Sequence, residues 1–79
     1  MRSYYVVKDE GEWGVKLEKG RYIERGSGSF KQAKRKAIRL ALNNGRGVVI
    51  NDAGGFTRKN MSAREVEQKY RDRRWTPAA

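Results

Sequence analysis

Five cations fall within nine residues: Lys31, Lys34, Arg35, Lys36 and Arg39. From residue 31 to residue 49 the chain has six Lys or Arg, Arg46 being the last, and no acidic residue. Lys31, Arg35 and Arg39 recur at i, i+4 and i+8, which on a helix sets them along one face about 6 Å apart. Lys36 shares that side, and Lys34 lies near the apolar stripe with a stem long enough to snorkel out of it. Cations at this spacing can follow the phosphates of a nucleic-acid backbone and displace its condensed counterions. A helix face built only for solvation mixes Glu with Lys to gain pairing energy. This one has no acid, which favours the anion-binding reading over the plain one.

A second basic group comprises Arg58 and Lys59, then Arg71, Arg73 and Arg74 with Trp75. The guanidinium fork matches two phosphate oxygens, and an indole can stack on an exposed base. The plainer reading is a helix C-terminus whose cations complement its dipole, with a tryptophan folded back on the core. A third set, Tyr5, Lys16, Arg21 and Arg25, belongs to the wet side of the strands; an ordinary exposed sheet face accounts for it.

Residues for catalysis are scarce. The chain has neither cysteine nor histidine, so disulfides, thiolate chemistry and the commonest general base and metal ligand are all excluded. Asp9, Glu10 and Glu12 share a turn without a matching carboxylate cluster, so no metal or other cofactor is expected. Gly54-Gly55 is not followed by the Lys-Ser/Thr of a phosphate loop and reads as a hairpin turn. The expectation is a protein that is not an enzyme.

Nineteen Lys and Arg stand against nine Asp and Glu, a net +10 in 79 residues. A small domain needs a magnitude of only ~2–8 for solubility. No apolar run approaches the ~18–20 residues that cross a bilayer, and the first residues lack a signal-peptide core. A cytoplasmic protein without a membrane partner is expected.

The elements that must carry these residues can be read from local pattern. Tyr4 to Lys8 is rich in aromatic and β-branched residues and reads as a strand. Trp13, Val15 and Leu17 alternate with polar neighbours or glycine, the period of a half-buried strand. Arg21 to Arg25 reads as a third strand and Gly26-Ser27-Gly28 as a break. Ser29 with Gln32 forms a capping box, opening a helix that Asn43-Asn44-Gly45 closes. Its apolar side is Phe30, Ala33, Ala37, Leu40 and Ala41. Gly47 to Ile50 is a strand, Asp52 to Gly55 a turn and Phe56 to Lys59 a returning strand. Ser62 with Glu65 is a second capping box, stapled by Met61 and Val66, for a helix from about Ala63 to Arg74. That helix has a thin apolar face: Val66, Tyr70 and Trp75.

The order β-β-β-α-β-(β)-α implies an α+β fold. Expected is a small antiparallel sheet of three to five strands, one helix packed on one face and a C-terminal helix. Residues 1–60 form the single α+β domain, and residues 61–79 a basic helix with a frayed tail.

Tyr4-Tyr5-Val6-Val7, Trp13-Gly14-Val15-Lys16, Gln32-Ala33 opening the helix, and Val48-Val49-Ile50 with Gly55 resemble a small family of unknown function found in prokaryotes and their viruses. The resemblance spans about residues 4–60. It implies the fold and supplies no activity. The family helix carries acidic residues where this chain has Lys34 and Lys36, and the C-terminal basic helix has no counterpart.

The expected function is therefore non-catalytic binding of nucleic acid, double-stranded DNA ahead of RNA, through backbone phosphates and with low sequence specificity. The expected interface is Lys31, Lys34, Arg35, Arg39, Arg46, Arg58, Lys59, Arg71, Arg73, Arg74 and Trp75. The alternative is a small, virus-encoded type of module that docks on an acidic protein partner. Both a monomer and a homodimer fit.

Overall fold

A computed structural model describes residues 3–17 and 21–71. Along the chain come β1 (Ser3–Asp9), β2 (Glu12–Leu17), β3 (Arg21–Glu24), α1 (Phe30–Asn44), β4 (Gly47–Asn51), β5 (Thr57–Met61) and α2 (Ala63–Val66), which continues as a π-helical turn over Glu67–Arg71. The strands make one five-stranded sheet in the order β3-β2-β1-β4-β5. This is the α+β arrangement that the sequence implies. The pairs β1/β2, β2/β3 and β4/β5 are antiparallel, while β1/β4 is parallel. The parallel pair follows from counting reversals. Two hairpin turns give β3 the direction of β1; α1 then carries the chain back across the sheet, so β4 starts from the same end as β1.

Alternation along the strands divides the sheet into two faces. Tyr4 and Val6 of β1, Val15 of β2, and Val48 and Ile50 of β4 are buried on one face. Ala33, Ala37, Ile38 and Ala41 of α1 lie on them, also buried. Three alanines let the helix backbone come close to the sheet. Met61 and Val66 complete the same core, with Trp13, Leu17, Leu40, Leu42 and Tyr70 packed around it. The rings of Trp13 and Phe30 meet edge to face at 5.0 Å between centroids, which fixes the start of α1 over β2.

The ends of α1 follow from local chemistry. The Ser29 hydroxyl accepts from the Gln32 backbone N–H, and the Gln32 carboxamide oxygen accepts from the Ser29 N–H. Gly45, at φ 65°, takes the left-handed position that closes the helix, and its N–H donates to the Ala41 carbonyl. Asn44 Nδ2 donates to the Tyr4 hydroxyl at 3.0 Å and so fastens the helix end to β1. At Gly47 a Cβ would collide with the backbone carbonyl of Met61 on β5, so the close β4/β5 approach requires glycine there.

Two details of helix packing differ from the periodicity reading. Phe30 is 38% exposed and Leu40 half-buried, whereas Ile38 is 1% exposed. The core-facing stripe is turned toward Ile38 because α2 packs beside α1 and supplies Val66 from that side. The second capping box is present, with Ser62 and Glu65 satisfying each other's backbone N–H groups. Val66 is fully buried and Tyr70 packs on the core, so the described part of this helical segment rests on the domain. The expected continuation to Arg74, with Arg73, Arg74 and Trp75, lies outside the described residues. Among the described residues no helix is long and apolar enough to cross a membrane.

Candidate nucleic-acid interface

Because α1 spends one side on the sheet, its other side must face water. Lys31 and Arg35 are exposed, and Lys34, Lys36 and Arg39 are half-buried. Lys34 sits in the stripe between buried positions, and its half-buried state fits a stem running along the apolar surface. Lys31, Lys34, Arg35 and Lys36 take part in no ion pair among the described residues.

Five carboxylates of the described residues have partners away from Lys31, Lys34, Arg35 and Lys36. Asp9 accepts from the Tyr22 hydroxyl at 2.7 Å and lies 3.8 Å from Arg25. Glu24 accepts from the Ser27 hydroxyl at 3.2 Å. Asp52 binds Arg58, Glu65 caps α2 and Glu67 binds Arg71 at 2.7 Å. α1 itself carries no acidic residue.

Beside this face runs an open cleft of about 460 Å³ between α1 and the loop that enters it. Arg35, Lys36 and Arg39 line one wall; Gly26, Ser27 and Gly28 line the other, with Glu24 and Gln32 at its ends. Gly26 and Gly28 have φ of 64° and 83°, which bends the loop back along the helix. With three cations on one wall against the single acid Glu24, and only glycine and serine on the facing loop, the cleft can admit a phosphate group. Two N–H groups at the helix start, those of Ser29 and Gln32, are already engaged by the capping box.

The remaining expected site residues are dispersed. Arg46 follows the end of α1, with its guanidinium 5.7 Å from the Tyr4 ring centroid; its Nη1 is buried and has no hydrogen-bond partner among the described residues. Arg58 is held by Asp52, Nε to Oδ2 at 2.9 Å, although its side chain is 72% exposed. Lys59 is exposed on the edge strand β5, beside a shallow groove that it shares with Met61, Glu65, Gln68 and Lys69. Arg71 donates from Nε to Glu67 and from Nη2 to the Leu42 carbonyl at 2.8 Å, tying the helical segment to the end of α1. Lys31, Lys34, Arg35 and Arg39 are brought together on α1, and Arg58 and Lys59 on β5. Arg73, Arg74 and Trp75 lie outside the described residues.

The second sheet face bears no described helix, and its polar groups satisfy one another. Lys16 Nζ and the Arg25 guanidinium lie 4.8 Å and 4.4 Å from the Tyr22 ring centroid. Partial burial, and then the hydrogen bond to Asp9, raise the Tyr22 hydroxyl above its ordinary pKa, with Arg25 acting against them. An aromatic ring engaged by two cations and a carboxylate is poorly placed to stack on a base.

Among the described residues no group of three His, Cys, Asp or Glu could hold a metal ion. The cleft-lining residues Gly26, Ser27, Gly28 and Gln32 carry no sequence signal beyond the break and the cap that they form. Compared with protein-family models, with curated proteins and with solved structures, the chain matches none.

Proposed function

We propose that this protein binds nucleic acid without catalysing a reaction, contacting backbone phosphates through the outer face of α1 and the adjoining cleft. The observation that carries this reading is the acid-free row of cations on α1, four of which have no ion pair among the described residues. Their positive field raises the local concentration of a polyanion and falls off with salt. Lys59 and Arg58 on β5 extend the basic surface, and Arg46 adds to it at the far end of the helix. Duplex DNA is the favoured ligand over RNA, because a rigid helix face with a regular cation spacing suits a regular duplex backbone. Low sequence specificity follows from the scarcity of side chains that read base edges. The amide nitrogen of Asn44, one such side chain, is already used by the Tyr4 hydroxyl and the Leu40 carbonyl.

The test is a gel-shift at low salt with duplex DNA and single-stranded RNA, on the wild type and on a Lys31→Glu, Arg35→Glu, Arg39→Glu variant. Retention by the wild type and its loss in the variant, with circular dichroism unchanged, is expected. No retention of any nucleic acid by the wild type refutes the proposal. Co-purification of a stoichiometric acidic protein that survives nuclease treatment would transfer the basic face to a protein partner.

A further inference from the structure

The β4–β5 hairpin ends in a loop whose conformation is closely specified, yet it projects a phenylalanine into water. Asp52 organises the turn. Its Oδ1 accepts from the backbone N–H of Gly54 at 2.9 Å and of Phe56 at 3.0 Å, and its Oδ2 accepts from Arg58 Nε at 2.9 Å. Its own N–H donates to the Phe56 carbonyl at 2.8 Å, and its carbonyl accepts from Gly55 at 3.0 Å. The Phe56 backbone is thus bound at both its polar groups, while the residue is 74% exposed, the most exposed large apolar residue described. The glycines before it provide no side chain to cover the ring. The core does not use it, since the β4 residues it would follow are already covered by α1 and α2.

We infer that Phe56 is a stacking residue for a nucleobase. This rests on the nucleic-acid reading above and gives that reading a contact to the bases as well as to the phosphates. Three features support it. The loop fixes the Phe56 backbone before any partner arrives, which lowers the entropy cost of a stack. Arg58, Lys59 and Asn60, which follow in β5, are exposed, and the Asp52 carboxylate is spent on Arg58 and two backbone N–H groups. Asp9, Glu10 and Glu12 of the β1–β2 turn lie at the same end of the sheet, so an anionic backbone would approach the ring from the β5 edge.

Position is the third feature. β1 and β4 are parallel, so the β4–β5 loop and the β1–β2 turn share one end of the sheet. Trp13 pairs with Lys8 near that same end and receives Phe30, which places the start of α1 there too. The tip and the first cations of α1 therefore lie at the same end of the sheet. A lipid surface is the weaker partner, since the neighbours Ala53, Gly54 and Gly55 add little apolar area to a single ring.

The base face can come from an unpaired strand or from a base step opened in a duplex. Fluorescence anisotropy with one labelled oligonucleotide, single-stranded and annealed, separates the two. Phe56→Ala is expected to bind about 5- to 150-fold more weakly on one or both ligands, and Phe56→Trp to bind as well as the wild type. The slope of log K against log salt should be the same in all three proteins, because the ring carries no charge. Loss on the single strand alone assigns an exposed base; loss on the duplex alone assigns an opened step. Equal affinity of Phe56→Ala and wild type on both ligands overturns the inference, as does a loss confined to phosphatidylserine vesicles. If the wild type binds neither oligonucleotide, the phosphate reading itself has failed and the stack falls with it.

Discussion

Replacing Lys31, Arg35 and Lys36 together by alanine is expected to move stability and binding in opposite directions. These three take part in every i,i+3 and i,i+4 like-charge contact on α1: 31 with 34, 31 with 35, 35 with 39, and 36 with 39. Each such contact costs about 0.2–0.5 kcal/mol at low salt. Removing all four, and introducing the best helix former, should stabilise the fold by about 1–2 kcal/mol. For a domain of this size each kcal/mol raises Tm by about 4–8 °C. Binding should lose three phosphate contacts. At ~0.9 per contact the salt slope drops by about 2.7, and at 0.1 M salt the affinity falls about 500-fold if the 1 M reference is unchanged. Differential scanning calorimetry at low ionic strength and anisotropy titrations over a salt series read the two quantities separately. A lower Tm with an unchanged slope would refute the reasoning, because the three cations would then be serving the fold and not an external anion.

Ile38→Ala, at a site 1% exposed beneath α2, should cost about 2–5 kcal/mol in urea denaturation, whereas the half-buried Leu40 should cost less. Asp52→Asn tests the hairpin tip through pH. The N–H of Phe56 first, with Arg58 and the N–H of Gly54, holds the Asp52 carboxyl below the usual carboxylate range. The unfolded chain therefore takes up this proton at a higher pH than the folded one. The stabilisation is complete above the ordinary carboxylate pKa and is lost as pH falls through the lower folded value. The variant should be less stable at neutral pH and have a flatter Tm profile below about pH 4.

What could be read in the sequence is what short-range chemistry determines. Both capping boxes, the glycine that closes α1, the alternation in β2 and the turn at Gly54-Gly55 each depend on residues within five positions of one another. The stripe orientation does not. On a helical wheel Leu40 and Ile38 are equally plausible edges of the apolar side, and only the placement of α2 beside α1 selects Ile38. The cleft is similarly tertiary, because its far wall is a loop whose path is set by two glycines with positive φ and by the hydrogen bond from Ser27 N–H to the Trp13 carbonyl. The π-helical turn after Val66 was also beyond pattern reading, since its sequence Glu-Gln-Lys-Tyr-Arg is ordinary for an α-helix.

The same distinction decides what the basic residues mean. By sequence, Arg58, Arg71 and Arg35 are equivalent surface cations. In the fold, Arg58 completes the Asp52 turn and Arg71 bridges Glu67 to the end of α1, so each has a structural partner that lowers its availability. Arg35 has none among the described residues. A net charge of +10 alone would not identify a binding face. The proposed binding face rests on the distribution of acids. The chain places carboxylates beside the cations that build its turns and omits them from the one helix whose outer side the core cannot use. Charge that serves only solubility has no reason to be divided in this way. Adding Glu at Gln32 or Asn43 should therefore weaken binding without harming the helix.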